Sequence, residues 1–77
     1  MAISETALLE TLADLHVHEL EWIINAAEIA PGIIPGRSVS IAKRAELLMN
    51  YFLDTYGTLR RLYDLTYRVT PLYVMKD

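Results

Sequence analysis

The sequence contains no cysteine, and its 77 residues include only three glycines, three prolines and one tryptophan. Without cysteine the chain cannot form a disulfide framework, a thiol nucleophile or a Cys-based zinc site. No uninterrupted apolar run approaches the roughly 18 residues that a membrane-spanning helix needs. The first residues also lack the basic run that begins a signal peptide. We therefore expect a cytoplasmic protein with no membrane partner.

The chain is short but rich in apolar residues, which make up 53% of it. That composition is too apolar for a disordered tail, and the length allows one domain, which we assign to residues 1–77. A chain of this size buries only roughly 60% of its unfolded surface. Its own core leaves a small stability margin, so contacts with a partner can matter.

Charge is divided unevenly between the two halves of the sequence. Residues 1–36 carry six acidic residues and no lysine or arginine, whereas residues 37–77 carry seven basic residues against four acidic ones. The first half therefore has a net charge of −6 and the second half a net charge of +3. Either the halves neutralise each other within the fold, or opposite ends of the molecule attract different partners or copies.

Apolar residues recur at helical spacing, and the flanking residues predict where each helix begins and ends. The first helix is predicted from about Ser4, which can cap it, to Asp14, and the second helix from about Val17 to Ile29. A third helix begins after Ser38 or Ser40, either of which can cap it. Gly57 is a suitable stop for that helix, because glycine readily adopts the left-handed conformation.

The remaining signals complete an all-helical pattern. Thr58 can cap a fourth helix, which we expect to end at Thr70–Pro71, and residues 72–75 can add a last short turn. Two Pro-Gly pairs within residues 31–36 predict a loop that separates the second and third helices. We therefore expect an all-α protein, a compact antiparallel bundle of five to six helices.

Three further apolar residues are expected to contribute to the core. Trp22 lies next to two isoleucines and is expected in the core. Ile33 and Ile34 are expected to plug the core from the loop, although one of them can instead be an exposed anchor for a partner.

Residues with catalytic or metal-binding chemistry are sparse. His16 and His18 are two positions apart, so they point to different sides of a helix, as do Glu19 and Glu21. The Pro-Gly loop lacks the spacing and the lysine of a phosphate-binding loop. We therefore expect a non-enzymatic protein with no catalytic residue, cofactor, metal or small-molecule substrate.

The order of these segments resembles a known class of domain. Leucine-rich residues 8–15 lead to residues 19–24, and after the loop come residues 44–52, residues 56–62 and Thr70–Pro71. This pattern resembles the small effector-associated domains of bacterial conflict systems, and its layout is similar to that of death-effector and other death-fold domains. Its most specific part is the Leu-Leu…aromatic…Gly-x-Leu-x-x-Leu segment that ends in proline.

The resemblance implies a death-fold-like adaptor that binds a similar domain, or another copy of itself, and recruits an effector to a sensor in bacterial defence or signalling. The charge division gives such a domain two sides for protein interaction. The predicted acidic side comprises Glu10, Asp14, Glu19 and Glu21. The predicted basic side comprises Lys43, Arg44, Arg60 and Arg61.

Two other functions remain open from the sequence. The Arg60–Arg68 helix interleaves arginines with Tyr63 and Tyr67, a pattern that can bind phosphates and stack on bases, which makes a small nucleic-acid-binding domain the alternative. The net charge of −3 argues against it. A helical subunit that dimerises through an apolar face is a third hypothesis.

Overall fold

The computed structural model describes the backbone of residues 4–75 and the side chains of residues 4–69. Within these residues the chain forms four helices and no strand: α1 (Glu5–Ala13), α2 (Val17–Ala26), α3 (Ile41–Tyr56) and α4 (Arg60–Met75). The all-α prediction is confirmed. The described residues contain four helices, however, where the sequence pattern had predicted five to six.

Side-chain caps explain where three of the helices begin. The Oγ of Ser4 accepts a hydrogen bond from the Ala7 N–H at 3.2 Å, and the Oγ of Ser40 accepts one from the Lys43 N–H at 3.2 Å. Thr58 Oγ1 likewise accepts from the Arg60 N–H at 3.2 Å. Each of these bonds satisfies an amide that has no partner inside its helix, so the predicted caps at these residues are confirmed.

The end of α2 differs from its prediction, because the helix stops at Ala26 rather than near Ile29. Glu28 has a φ of 58°, in the left-handed region. Its N–H donates to the Asn25 carbonyl at 3.0 Å, and the Ile29 N–H donates to the Ile24 carbonyl at 3.2 Å. This pair of bonds is a Schellman motif, which usually requires glycine where Glu28 stands.

The C-terminal helix also differs from its prediction. Thr70–Pro71 was expected to end it, with a further helix after Pro71, but α4 continues without interruption to Met75. Proline has no N–H, so α4 loses one backbone hydrogen bond at that point. One continuous helix therefore replaces two predicted elements, which accounts for part of the lower helix count.

The four helices pack as two pairs that are not consecutive in sequence. α1 lies chiefly against α3, and α2 chiefly against α4. Phe52 is the largest fully buried side chain. The other core side chains with no exposed surface are Leu12, Leu20, Ile23, Ala45, Leu48 and Leu62. Because every helix contributes to this one core, the remaining faces of the helices point to solvent and form the surface.

Trp22 lies outside the core, contrary to the prediction, with 38% of its surface exposed. It is two residues from the buried Leu20, which places it about 200° around the helix and away from the buried stripe. In the loop, Ile34 packs against the core as expected, whereas Ile33 is 53% exposed. Ile34 thus takes the predicted core position, and Ile33 takes the alternative, exposed position.

Candidate interaction surfaces

Among residues 4–69, the solvent-facing side of α4 carries three of the five exposed basic residues. Its buried side consists of Leu62, Leu65, Thr66 and Val69. On the opposite side lie five exposed residues, which we call the α4 basic face: Arg60, Arg61, Asp64, Tyr67 and Arg68. Three arginines and one aspartate give this face a net charge of +2.

Within the α4 basic face, one arginine is already paired. Arg60 Nε lies 3.6 Å from Asp64 Oδ1, one helical turn away. Arg61 and Arg68 have no ion-pair partner among residues 4–69. They are seven positions apart and therefore lie on the same side of the helix. These two guanidinium groups are the part of the face that is available to an external anion.

Tyr67, on the same face as these arginines, contacts Tyr63 one turn earlier in α4. The Tyr63 and Tyr67 ring centroids are 4.5 Å apart with an interplanar angle of 38°. Tyr63 packs against the core, which fixes the pair, while Tyr67 remains 45% exposed. An exposed ring that is held in place on the same face as arginines is typical of a protein contact surface, because both residue types are enriched at interfaces.

On α1, the exposed Glu10 and the capping residue Asp14 form the corresponding negative surface, which we call the α1 acidic face. They are four positions apart, so their like charges repel. Asp14 also caps the C-terminus of α1, where the helix dipole disfavours a negative charge. Neither carboxylate has an ion-pair partner in the described part of the chain, so an external cation would relieve both unfavourable interactions.

The eight predicted interaction residues divide into three groups. The first group consists of two pairs of neighbouring residues. Glu10 and Asp14 lie together at α1, and Arg60 and Arg61 lie together on α4. Glu21 and Lys43 are partly or fully exposed but are engaged elsewhere. Glu21 Oε2 is 3.5 Å from Arg37 Nε, and Lys43 Nζ is 3.4 Å from Glu46 Oε1.

Glu19 and Arg44, the last two predicted interaction residues, do not lie on the surface. Glu19 is 7% exposed and Arg44 is 3% exposed. On their helices they border the buried stripe, on the side of Leu20 in α2 and of Ala45 and Leu48 in α3. A partner therefore cannot use either side chain as part of a flat charged surface, which leaves six of the eight residues accessible.

A shallow groove of about 260 Å³ runs between α1 and α3. Leu9, Met49 and Leu53 contribute apolar walls, and Glu5 and Glu46 contribute carboxylates. The groove has room for one or two side chains, and its acidic groups extend the negative character of the α1 side. Its size and openness suit the rim of a protein contact rather than the enclosure of a substrate.

Two further observations bear on site chemistry. Among residues that the structure describes, no three His, Asp or Glu side chains are grouped closely enough to hold a metal ion. None of the described helices combines the length and the apolarity required to cross a membrane.

The sequence reasoning missed the exposed aromatic residues. Trp22 was predicted to lie in the core. Tyr56 is 50% exposed, and the sequence pattern did not distinguish it from the other tyrosines. Helical phase offered a signal for Trp22, since it falls outside the spacing of Leu20, Ile23 and Ala27.

Comparison of the chain with protein-family models, curated proteins and solved structures finds no match. The function must therefore be argued from the geometry of the chain itself.

Proposed function

We propose that this chain is a non-enzymatic adaptor domain. Its partner is a similar domain, either on another protein or in a second copy of this chain. The observation that carries the proposal is the α4 basic face, where Arg61 and Arg68 have no ion-pair partner among the described residues and share the exposed side of the helix with the half-exposed Tyr67. Unpaired guanidinium groups and a fixed aromatic ring on one face offer both charge and apolar area to a partner.

The α1 acidic face supplies the complementary surface on the second copy. α1 packs against α3 and α4 packs against α2, so the two faces belong to different helix pairs of the bundle. In the proposed assembly, the α4 basic face of one molecule contacts the α1 acidic face of the next copy. Such a contact is heterologous, so it closes into a ring or continues as a filament.

Charge alone does not account for stable association. Exposed ion pairs contribute about 0–1 kcal/mol each, and they weaken as salt is added. Burial of the exposed part of the Tyr67 ring adds about 1 kcal/mol of apolar contact. We therefore expect a weak contact between individual copies, with appreciable assembly at high local concentration, as recruitment by fused domains would provide.

The biological setting of the proposal comes from the sequence resemblance. Similarity to effector-associated and death-fold domains supports a death-fold-like module that recruits an effector to a sensor in cytoplasmic bacterial defence or signalling. The charge division and the α4 basic face are consistent with such homotypic recruitment, which needs surfaces rather than catalytic groups.

Sedimentation velocity of two charge-reversed variants tests the proposal. One variant carries Arg61→Glu and Arg68→Glu, and the other carries Glu10→Lys and Asp14→Lys. We expect the wild-type chain to assemble at low salt and each variant alone to be monomeric. An equimolar mixture of the two should assemble again, because the intact faces complement each other and the two reversed faces also carry opposite charges.

Arg37→Glu provides the matched control, because it reverses an exposed arginine outside both faces and should leave assembly intact. Circular dichroism verifies that every variant keeps its helices. A wild-type chain that stays monomeric at all concentrations would refute self-association. Assembly that neither the variants nor salt alters would indicate dimerisation through an apolar face instead.

The same α4 basic face supports nucleic-acid binding as a second candidate function. Tyr67 is exposed for stacking on a base, and Arg61 and Arg68 can contact phosphates. Fluorescence anisotropy with single-stranded DNA and RNA at two salt concentrations separates the candidates. Tight, salt-sensitive binding that Arg61→Glu abolishes but Glu10→Lys leaves intact would favour this function over homotypic assembly.

A further inference from the structure

The groove between α1 and α3 is built from one side of each helix. On α3, Glu46, Asn50 and Leu53 follow one another at intervals of three or four residues. On α1, Glu5 and Leu9 are four residues apart. Residues at these intervals lie on the same side of a helix, so the groove is the seam along which α1 packs against α3. Leu9 and Leu53 also pack against the core, which holds the walls in place.

The groove combines apolar walls with carboxylates. Its apolar side chains, those of Leu9, Met49 and Leu53, are buried or partly buried. Its acidic side chains, those of Glu5 and Glu46, are exposed. A lysine of α3 already pairs with Glu46, but Glu5 has no ion-pair partner among residues 4–69. The volume of about 260 Å³ therefore suits one aromatic ring that has positive charge nearby.

The groove also adjoins the α1 acidic face. Thr6 lines the groove and lies four residues before Glu10, which in turn lies four residues before Asp14. The three residues therefore follow one side of α1. A partner that inserts a ring into the groove thus brings its neighbouring residues close to the α1 acidic face.

Four large apolar side chains of the described residues are exposed and are candidates to occupy the groove of another copy: Trp22, Ile33, Tyr56 and Tyr67. Trp22 and Ile33 belong to the half of the chain that has no lysine or arginine. Tyr56 ends α3 and has no basic residue within three positions on either side. Only Tyr67 shares the exposed side of a helix with arginines, so charge complementarity with the groove favours Tyr67.

We propose that the groove between α1 and α3 receives the Tyr67 ring of a second copy of this chain, while the arginines beside that ring on α4 meet the carboxylates of Glu5 and Glu10. No described residue of α4 lines the groove, so the Tyr67 ring of the same chain lies outside it. This inference rests on the proposed homotypic function and adds to it the site that receives the aromatic ring.

Sedimentation equilibrium of Tyr67→Ser at low salt tests the side that supplies the ring. Loss of the apolar contact made by the exposed part of the ring should weaken association about fivefold. Trp22→Ser is the matched control, since it removes an aromatic ring of similar exposure outside the α4 basic face and should leave association unchanged. Circular dichroism verifies that both variants keep their helices. An equal effect of Trp22→Ser would overturn the choice of Tyr67.

Asn50→Trp tests the side that receives the ring. Asn50 is exposed and lines the groove, so an indole there takes the space of the ring and should weaken association about fivefold. Asn25→Trp makes the same substitution at an exposed position of α2 that does not line the groove, and it should have no effect. Should Asn50→Trp fold poorly, Thr6→Trp fills the groove from α1 with the same expected result. Unchanged association of the folded groove variant would overturn the proposal.

The double variant shows whether the ring and the groove act together. If Tyr67 enters the groove, Tyr67→Ser removes nothing further once Asn50→Trp has filled it. The double variant should therefore associate about fivefold more weakly than the wild-type chain, as each single variant does. Independent effects would multiply to about 25-fold and would overturn the proposal.

Photo-cross-linking of the full chain locates the contact directly. A chain with a benzophenone amino acid in place of Tyr67 is mixed with isotope-labelled wild-type chain, so that cross-links between copies differ in mass from those within one chain. We expect cross-links to Met49 and Leu53 of the labelled copy. Cross-links that stay within one chain, or that reach other surfaces of the labelled copy, would overturn the proposal.

The groove and the proposed function can fail separately. A wild-type chain that stays monomeric would refute self-association and this inference together. Assembly that charge reversal on α4 abolishes, but that neither Tyr67→Ser nor Asn50→Trp weakens, would keep the homotypic function and overturn only the role of the groove.

Discussion

The two connections that flank α3 differ in how their conformation is fixed. Residues 57–59, between α3 and α4, form a tight turn in which Gly57 has a φ of 71° and Thr58 caps the next helix. Residues 27–40, between α2 and α3, also contain a left-handed residue near their start, but that residue is Glu28 with a φ of 58°. The short connection follows from local backbone chemistry, whereas the long one depends on contacts with the rest of the protein.

Those contacts of the long connection are identifiable. Ile29 is buried, Ile34 packs against the core, and Arg37 reaches back to Glu21 on α2. The long connection thus combines contacts with the core and a less favourable backbone, and substitutions in the two connections should therefore have different consequences.

Gly57→Val should have the largest effect, a loss of about 2 kcal/mol in the free energy of unfolding. No atom lies within 4 Å of the position that a Cβ would take, so the loss reflects the left-handed backbone and not crowding. Gly57→Asn is the matched control, because asparagine tolerates this conformation, and it should lose much less. Urea unfolding measures both, and similar losses would show that the turn is not limited by its backbone.

Ile34→Ala and Ile33→Ala test whether the long connection is held by its contact with the core. Ile34 is partly buried, so its truncation should cost about 1–2 kcal/mol, whereas the exposed Ile33 should cost less than about 0.5 kcal/mol. Thermal or urea unfolding of the two variants provides the measurement. Equal losses would mean that packing does not distinguish the two residues and that the connection is fixed in some other way.

The same contrast explains which parts of the fold could be predicted from the sequence. The starts of α1 and α3 and the stop at Gly57 depend on residues within a few positions, so the caps at Ser4 and Ser40 were predictable. The end of α2 was not, because a glutamate holds a conformation that the pattern reserves for glycine. The prediction at Pro71 was wrong in the opposite sense. Proline favours the end of a helix, but α4 continues beyond it.

The candidate surfaces were predictable in part for a similar reason. Charge segregation along the chain located the pairs on α1 and α4, because helical spacing alone places Glu10 near Asp14. Burial of Glu19 and Arg44 was not predictable, since it depends on how α2 and α3 pack rather than on residue type.

Glu28→Gly should increase the free energy of unfolding by about 1 kcal/mol, because glycine adopts the left-handed conformation without strain. Glu28→Ala separates this effect from charge, since it removes the carboxylate but retains the strained backbone and should alter stability by less than about 0.5 kcal/mol. If both variants were equally stabilised, repulsion between the carboxylate and the end of α2 would be the cause, and the comparison with Gly57 would lose its basis.

The smallest expected effect concerns the ion pair that ties the long connection to α2. Arg37 and Glu21 have side chains that are 63% and 42% exposed, so solvent screens their 3.5 Å contact. A double-mutant cycle with Arg37→Ala and Glu21→Ala should therefore give a coupling energy of no more than about 0.5 kcal/mol, decreasing with salt. A coupling well above about 1 kcal/mol would show that this ion pair, rather than the packing of Ile34, fixes the connection.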